Sequence, residues 1–143
     1  MSMYQQFKTN EADEKNGVWI DYGEFRVRIA RAGGANKDFQ KALERLARPF
    51  RRAIATDSLP AEKAEEMLRA AYAKAVIRAW ETKVDGEFMP GIESPEGGDL
   101  LEPNEENILA TLQALPDLYA DLKDQAGSWA LFKSALREEA SGN

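Results

Sequence analysis

Carboxylates are the most concentrated reactive groups in this sequence. Between Asp85 and Glu106 stand eight of them (Asp85, Glu87, Glu93, Glu96, Asp99, Glu102, Glu105 and Glu106) with no Lys or Arg in between. Clustered carboxylate oxygens are the donors that Ca²⁺ and Mg²⁺ prefer, and a facing pair can do general acid–base work on a glycoside. The stretch lacks the D-x-[DN]-x-[DN]-G spacing and closing Glu of a calcium loop, and nothing in it sets two acids across a cleft. It reads as a solvated acidic loop. The 143 residues contain no His and no Cys. That removes the usual catalytic triads, a thiolate nucleophile, disulfides and most transition-metal sites. Gly33-Gly34 opens no G-x-G-x-x-G fingerprint, and there is no P-loop. The residue types point to a non-catalytic binding or structural role, with no cofactor and no metal.

A second set of charged residues is basic. Lys37, Lys41, Arg45, Arg48 and Arg52 fall on one side of a helical wheel, opposite Phe39, Leu43, Leu46, Phe50 and Ile54. A row of cations can follow phosphates, but no Asn or Gln projects beside it to read base edges. The whole chain carries a net charge of −6 with a pI near 4.8. Nucleic acid is therefore not the expected partner, and a small DNA-binding regulator using 37–52 is a remote alternative. The charge is uneven: residues 1–52 hold 11 Lys and Arg against 7 Asp and Glu, whereas the remainder holds 8 against 18. Such polarity suits head-to-tail contacts in a homo-oligomer, or simply two solvated faces, and the second reading is slightly favoured.

Aromatic residues form the third set. Trp19 points away from Val18 and Ile20 in an alternating segment, which makes it either an anchor for a partner or the underside of another element. Tyr22 and Phe25 lie on the same hairpin. Trp129 and Phe132 sit three residues apart near the C-terminus, where a plain core role competes with partner contact. These five are the candidate partner-binding residues.

The elements that position them follow from periodicity. Residues 1–16 are polar and aperiodic, a flexible arm. Val18, Ile20 and Tyr22, then Phe25, Val27 and Ile29, alternate on either side of Asp21-Tyr22-Gly23-Glu24 and predict a β-hairpin over 17–31. Asn36 caps a helix from Lys37 to about Ala55 that Pro49 should interrupt. A second helix is expected over about 60–82, burying Met67, Leu68, Ala71, Tyr72, Ala75, Val76, Ala79 and Trp80. Residues 83–103 read as the acidic loop, with Asp85-Gly86 as a turn that could join Lys83-Val84 to Glu87-Phe88-Met89. Helices over 104–138 complete the chain, carrying Ile108, Leu109, Leu112 and Leu115, then Leu118, Tyr119 and Leu122, then Trp129, Phe132 and Leu136. The expected fold is mainly α, four to five helices with an N-terminal β-hairpin, in one small α+β domain over 17–140. The first residues lack the apolar core of a secretory signal, and no apolar run approaches the roughly 20 residues that span a bilayer. A cytoplasmic protein with no membrane contact is expected.

The C-terminal half resembles a known family. Val76-Ile77-Arg78-Ala79-Trp80, Asp85-Gly86, Pro103-Asn104-Glu105-Glu106-Asn107-Ile108, Leu112-x-x-Leu115-Pro116-Asp117-Leu118-Tyr119 and Ala126-x-x-Trp129-x-x-Phe132 follow one another as similar segments do in phage tail assembly chaperones. The resemblance spans roughly 70–136, and the segment from Gly17 to Arg31 is similar to leaders of related tail proteins. Pro90–Leu101 departs from the pattern as an insertion. The resemblance implies a helical protein made in the cytoplasm of an infected or lysogenic host, which binds the long tape measure protein and keeps it soluble during tail assembly. Some family members are also made in a longer form by ribosomal frameshifting. A structural tail-completion or ring-forming protein of the virion is the alternative reading.

Overall fold

A computed structural model describes residues 2–133. Two short helices, α1 (Met3–Phe7) and α2 (Glu11–Asn16), lead into strands β1 (Val18–Asp21) and β2 (Phe25–Ile29). Helix α3 (Lys37–Ala47) runs through a 3₁₀ turn at Arg48–Phe50 into α4 (Arg51–Ala55), and α5 covers Ala61–Ala75. Strands β3 (Ile77–Val84) and β4 (Glu87–Pro90) follow, then α6 (Glu105–Ala114), α7 (Pro116–Ala126) and a 3₁₀ turn at Trp129–Phe132.

The four strands make one antiparallel sheet in the order β1-β2-β3-β4. Both tight connections have chemical causes. At the first, the Asp21 side chain accepts the Gly23 N–H at 2.8 Å, an Asx-type turn that leaves Gly23 at a φ of 95°. At the second, Asp85 and Gly86 both take positive φ, 52° and 83°, the geometry a two-residue hairpin requires. Val84 then faces Glu87, and Lys83 faces Phe88.

The fold class corrects the expectation. Strands are not confined to the N-terminal hairpin: β3 and β4 complete a four-stranded sheet, so the chain is a small α+β domain rather than a mainly helical one. The helix expected over 60–82 ends at Ala75, and residues 77–84 are extended. The reason is a β-bulge. Ile77 pairs with Ile29 and Ala79 with Arg28, so Arg78 is an extra residue in β3. The bulge turns Ile77 and Trp80, three positions apart, onto one buried face, and that spacing mimics a helical repeat. The β-branched pair Val76-Ile77 favours the extended state that follows.

Two further stretches differ from the expectation. The residues read as a flexible arm, 1–16, include α1 and α2. Ser2 and Gln5 close a reciprocal capping box on α1, and Asn10 accepts the Asp13 N–H to cap α2. In the stretch 83–103 the expected turn at Asp85-Gly86 does join Lys83-Val84 to Glu87-Phe88-Met89, but these belong to the long β3 and to β4, and a bridge between Ile92 and Leu101 pins the acidic loop. Pro49 interrupts its helix through the 3₁₀ turn, as its missing N–H demands. Of the span 104–138, residues 134–138, with Leu136, lie outside the described residues.

The core joins one face of the sheet to α5, α6 and α7. Val27, Ile29, Ile77 and Trp80 meet Tyr72, Val76, Ile108, Leu112, Tyr119, Leu122 and Ala126. A satellite cluster of Ala42, Ala71 and Ala75, with Phe39, Leu43 and Leu46, seats α3 on α5. No helix of the described residues is long and apolar enough to cross a membrane.

Candidate interaction surface

The strand alternation that buries Val18 and Val27 turns Trp19, Arg26, Arg28, Glu81 and Phe88 to the other side of the sheet. There Trp19 lies opposite Arg28, and Asp21 opposite Arg26. The Arg26 guanidinium is held between two rings, 4.4 Å from the centre of Trp19 and 4.3 Å from that of Phe88. It also forms an ion pair with Glu81 on β3. A cation between two π faces is immobilised without losing its charge. The arrangement stiffens the hairpin that carries Trp19 and leaves Trp19 half-buried.

Tyr22 and Phe25 serve a different purpose. Their rings stack at 4.8 Å, and Phe25 stacks on Trp80 at 5.9 Å. The Tyr22 hydroxyl donates to Asp121 Oδ2 on α7 at 2.5 Å, and Gln125 donates to the same oxygen at 2.8 Å. The Tyr22 and Gln125 hydrogen bonds hold the Asp121 carboxyl below its ordinary range. Burial, then the Asp121 bond and charge, push the Tyr22 phenol up. The pair fastens the first turn of the sheet to α7.

Two other tyrosines are buried at the helix junction. Burial, then the charges of Glu65 and Asp124, push Tyr72 up to about 12. Tyr119 is raised by burial and then by the charge of Glu65. Neither offers a phenolate near neutral pH.

At the chain's other end, Trp129 packs against Phe7 at 4.8 Å between ring centres. The contact is framed by backbone pairing: the Asn10 N–H donates to the Phe132 carbonyl at 2.8 Å, and Thr9 bridges Lys133. Phe132 is fully enclosed, so its side chain presents no surface to a partner, contrary to its place among the candidate contacts. Trp129 is half-buried, and its neighbour Phe7 shares α1 with Met3 and Tyr4; Met3, Tyr4 and Phe7 are 66%, 75% and 56% exposed. The arm that supplies those three residues was not among the expected contacts. A readable signal was the Ser2-x-x-Gln5 capping box beside Met3 and Phe7.

The structure thus separates the five candidate residues into three places. Trp19 lies on the outer sheet face, Tyr22 and Phe25 in the hairpin-to-α7 joint, and Trp129 and Phe132 at the seam of the two chain ends. The acidic stretch ends in helix-start chemistry, where Asn104 caps α6 by accepting the Asn107 N–H at 2.8 Å. Among the described residues no group of three or more Asp or Glu is placed to hold a metal ion. The basic side chains Lys37, Lys41, Arg45, Arg48 and Arg52 are exposed along α3 and α4.

The chain is thus a small α+β domain with several exposed apolar side chains. Its sequence assigns it to a class of phage-derived proteins. The chain belongs to the YdaY prophage protein family, whose profile matches residues 34–143. No curated protein and no solved structure matches the chain.

Proposed function

We propose that this prophage protein is a non-catalytic tail assembly chaperone that covers apolar helical segments of a tape measure protein. The observation that carries the reading is the set of exposed apolar side chains on α1, Met3, Tyr4 and Phe7, with the half-buried Trp129 packed on Phe7, on a protein of net charge −6. An apolar patch of this kind on a highly charged chain is a protein-binding surface, since it lowers solubility unless something covers it. α1 lays such residues on one short helix, the geometry by which a second apolar helix is engaged, and the surrounding charge keeps the complex dissolved. Prophage membership and the resemblance of residues 70–136 to tail assembly chaperones support the identity of the client. Several copies spaced along one long client would gain from multivalency rather than from one tight contact.

The test is co-production with the tape measure protein of the same prophage. The wild type should hold the client in the soluble fraction, whereas Phe7→Ser combined with Trp129→Ala should send most of it to the pellet with the variant itself still soluble and folded. Client solubility that is unaffected by the double substitution would overturn the reading. So would recovery of the protein in fixed stoichiometry from purified particles, which is the signature of a structural tail component.

A further inference from the structure

A depression of about 850 Å³ lies where α2, the ends of β2 and β3, and the start of α3 meet. Four cationic side chains line it, Lys15, Arg28, Lys37 and Arg78, against a single carboxylate, Asp38. They come from four separate elements, so the clustering is made by the fold and not by a charged run in the sequence. The β-bulge is part of the cause, because it places Arg78 as the extra residue beside Arg28.

Only one of the four charges is compensated within the described residues. Arg78 donates from Nε to the Lys15 carbonyl at 3.0 Å and from Nη2 to Asn36 Oδ1 at 3.1 Å, and pairs with Asp38 at 3.5 Å. Lys15, Lys37 and Arg28 form no ion pair there, and the Arg28 Nε–H is buried without an acceptor. Converging like charges repel, and a buried donor left unpaired costs stability. Asn36 adds to the positive character. It is 2% exposed and donates to the Arg31 and Ala75 carbonyls at 2.9 Å each. Its Oδ1 accepts from Arg78 and makes no cap hydrogen bond to α3, so the first-turn N–H groups of that helix have no side-chain acceptor from Asn36.

We infer that this depression is an anion site for a small phosphorylated molecule carrying at least two negative charges, a phosphate ester or a diphosphate. A local excess of three positive charges matches such a ligand, and the volume exceeds what one inorganic phosphate fills. Arg78 is held rigidly by its backbone and Asn36 contacts, so it supplies a fixed fork, while Lys15 and Lys37 supply mobile charges at the rim.

The full-length protein titrated calorimetrically with inorganic pyrophosphate in low-salt buffer should show one saturable site. Lys15→Gln and Lys37→Gln should each weaken binding about fivefold or more, in line with loss of one charge-assisted contact. Both should melt at the wild-type temperature, because neither lysine makes an ion pair to lose. Lys41→Gln and Arg45→Gln, on the exposed stripe outside the depression, should leave pyrophosphate binding unchanged. Absence of saturable binding, or equal binding by the two rim variants, would overturn the inference. Tighter binding to duplex DNA that the two stripe substitutions weaken would overturn it too, since recognition would then belong to the exposed face of α3.

Discussion

Tyr22 and Asp121 lie 99 residues apart, yet their hydrogen bond closes the hairpin onto α7. Asp121 is exposed, so the charge-assisted part of the bond is screened and its contribution is modest. Tyr22→Phe keeps the ring stack on Phe25 and removes only the hydroxyl, which should lower stability by about 0.5–1.5 kcal/mol at neutral pH. The pH dependence has a definite sign. The Asp121 pKa is depressed below its ordinary 3.8 in the folded state, so its stabilisation is present above pH 3.8 and is lost as pH falls through the lower folded value. The Tyr22 pKa is raised above its ordinary 10.0, so its share is full below pH 10.0 and fades at still more alkaline pH. Urea denaturation of wild type and Tyr22→Phe across the acid range should therefore give curves that converge as Asp121 is protonated. A gap that stays constant from neutral pH to below that titration would show that the ion contributes nothing. None of this coupling was readable from spacing, because Asp121 looks like any solvent-facing helix residue. Trp19 was more legible: strict alternation set it opposite Val18 and Ile20 without any knowledge of Arg26 or Phe88.

Elements were legible where one period ruled and opaque where two competed. The first hairpin, α3 with its break at Pro49, and α6 and α7 follow from alternation, caps and proline. β3 does not, because its bulge replaces a two-residue period by a three-residue step between Ile77 and Trp80, and the preceding Ala-rich helix supplies matching apolar residues. The N-terminal arm fails for another reason. Among its described residues the one deeply buried side chain is charged, Glu14, 2% exposed, which no apolar period announces. Glu14 accepts from Arg31 Nη1 at 2.6 Å and from Thr9 Oγ1 at 3.0 Å, and its carbonyl accepts the Arg31 N–H at 2.9 Å. This small network docks α2 onto the end of β2. A carboxylate buried with a single cationic partner becomes a liability once that partner is gone, so Arg31→Ala should cost about 3–5 kcal/mol. Arg31→Ala combined with Glu14→Ala should recover part of that loss, since no buried charge is then left uncompensated. Chemical denaturation of both variants checks the order. A double variant less stable than the single one by a full additive increment would mean that the pair does not couple.

At the scale of the whole molecule, the family match and the folding unit do not coincide. The profile begins at residue 34, after α1, α2, β1 and β2. β2 is nevertheless an interior strand, paired on one side to β1 and on the other to β3. It contributes Val27 and Ile29, both fully enclosed, to the main core. The Asn10 N–H and Thr9 also hold the backbone beside Phe132 and Lys133 at the far end of the matched region. Removing residues 1–33 would strip β3 of its neighbour and expose Ile77 and Trp80 to water. It would leave an isolated two-stranded ribbon of β3 and β4, which is marginal on its own. Loss of Val27 and Ile29 alone corresponds to about 4–10 kcal/mol at 2–5 kcal/mol for each emptied core position, comparable with the roughly 5–15 kcal/mol that holds an ordinary domain together. A chain starting at residue 34 should therefore show collapsed amide dispersion by NMR and no cooperative thermal transition. Adding residues 1–33 back as a separate peptide should restore both in part, because sheet pairing and the Glu14–Arg31 dock lie within that peptide or at its edge. A cooperative transition near the wild-type temperature for the 34–143 chain would mean that the sheet is dispensable. The helices, with their own Tyr72, Leu112, Tyr119 and Leu122 contacts, would then have to be the folding unit, with the hairpin and arm an addition that carries the apolar patch and one wall of the cationic depression.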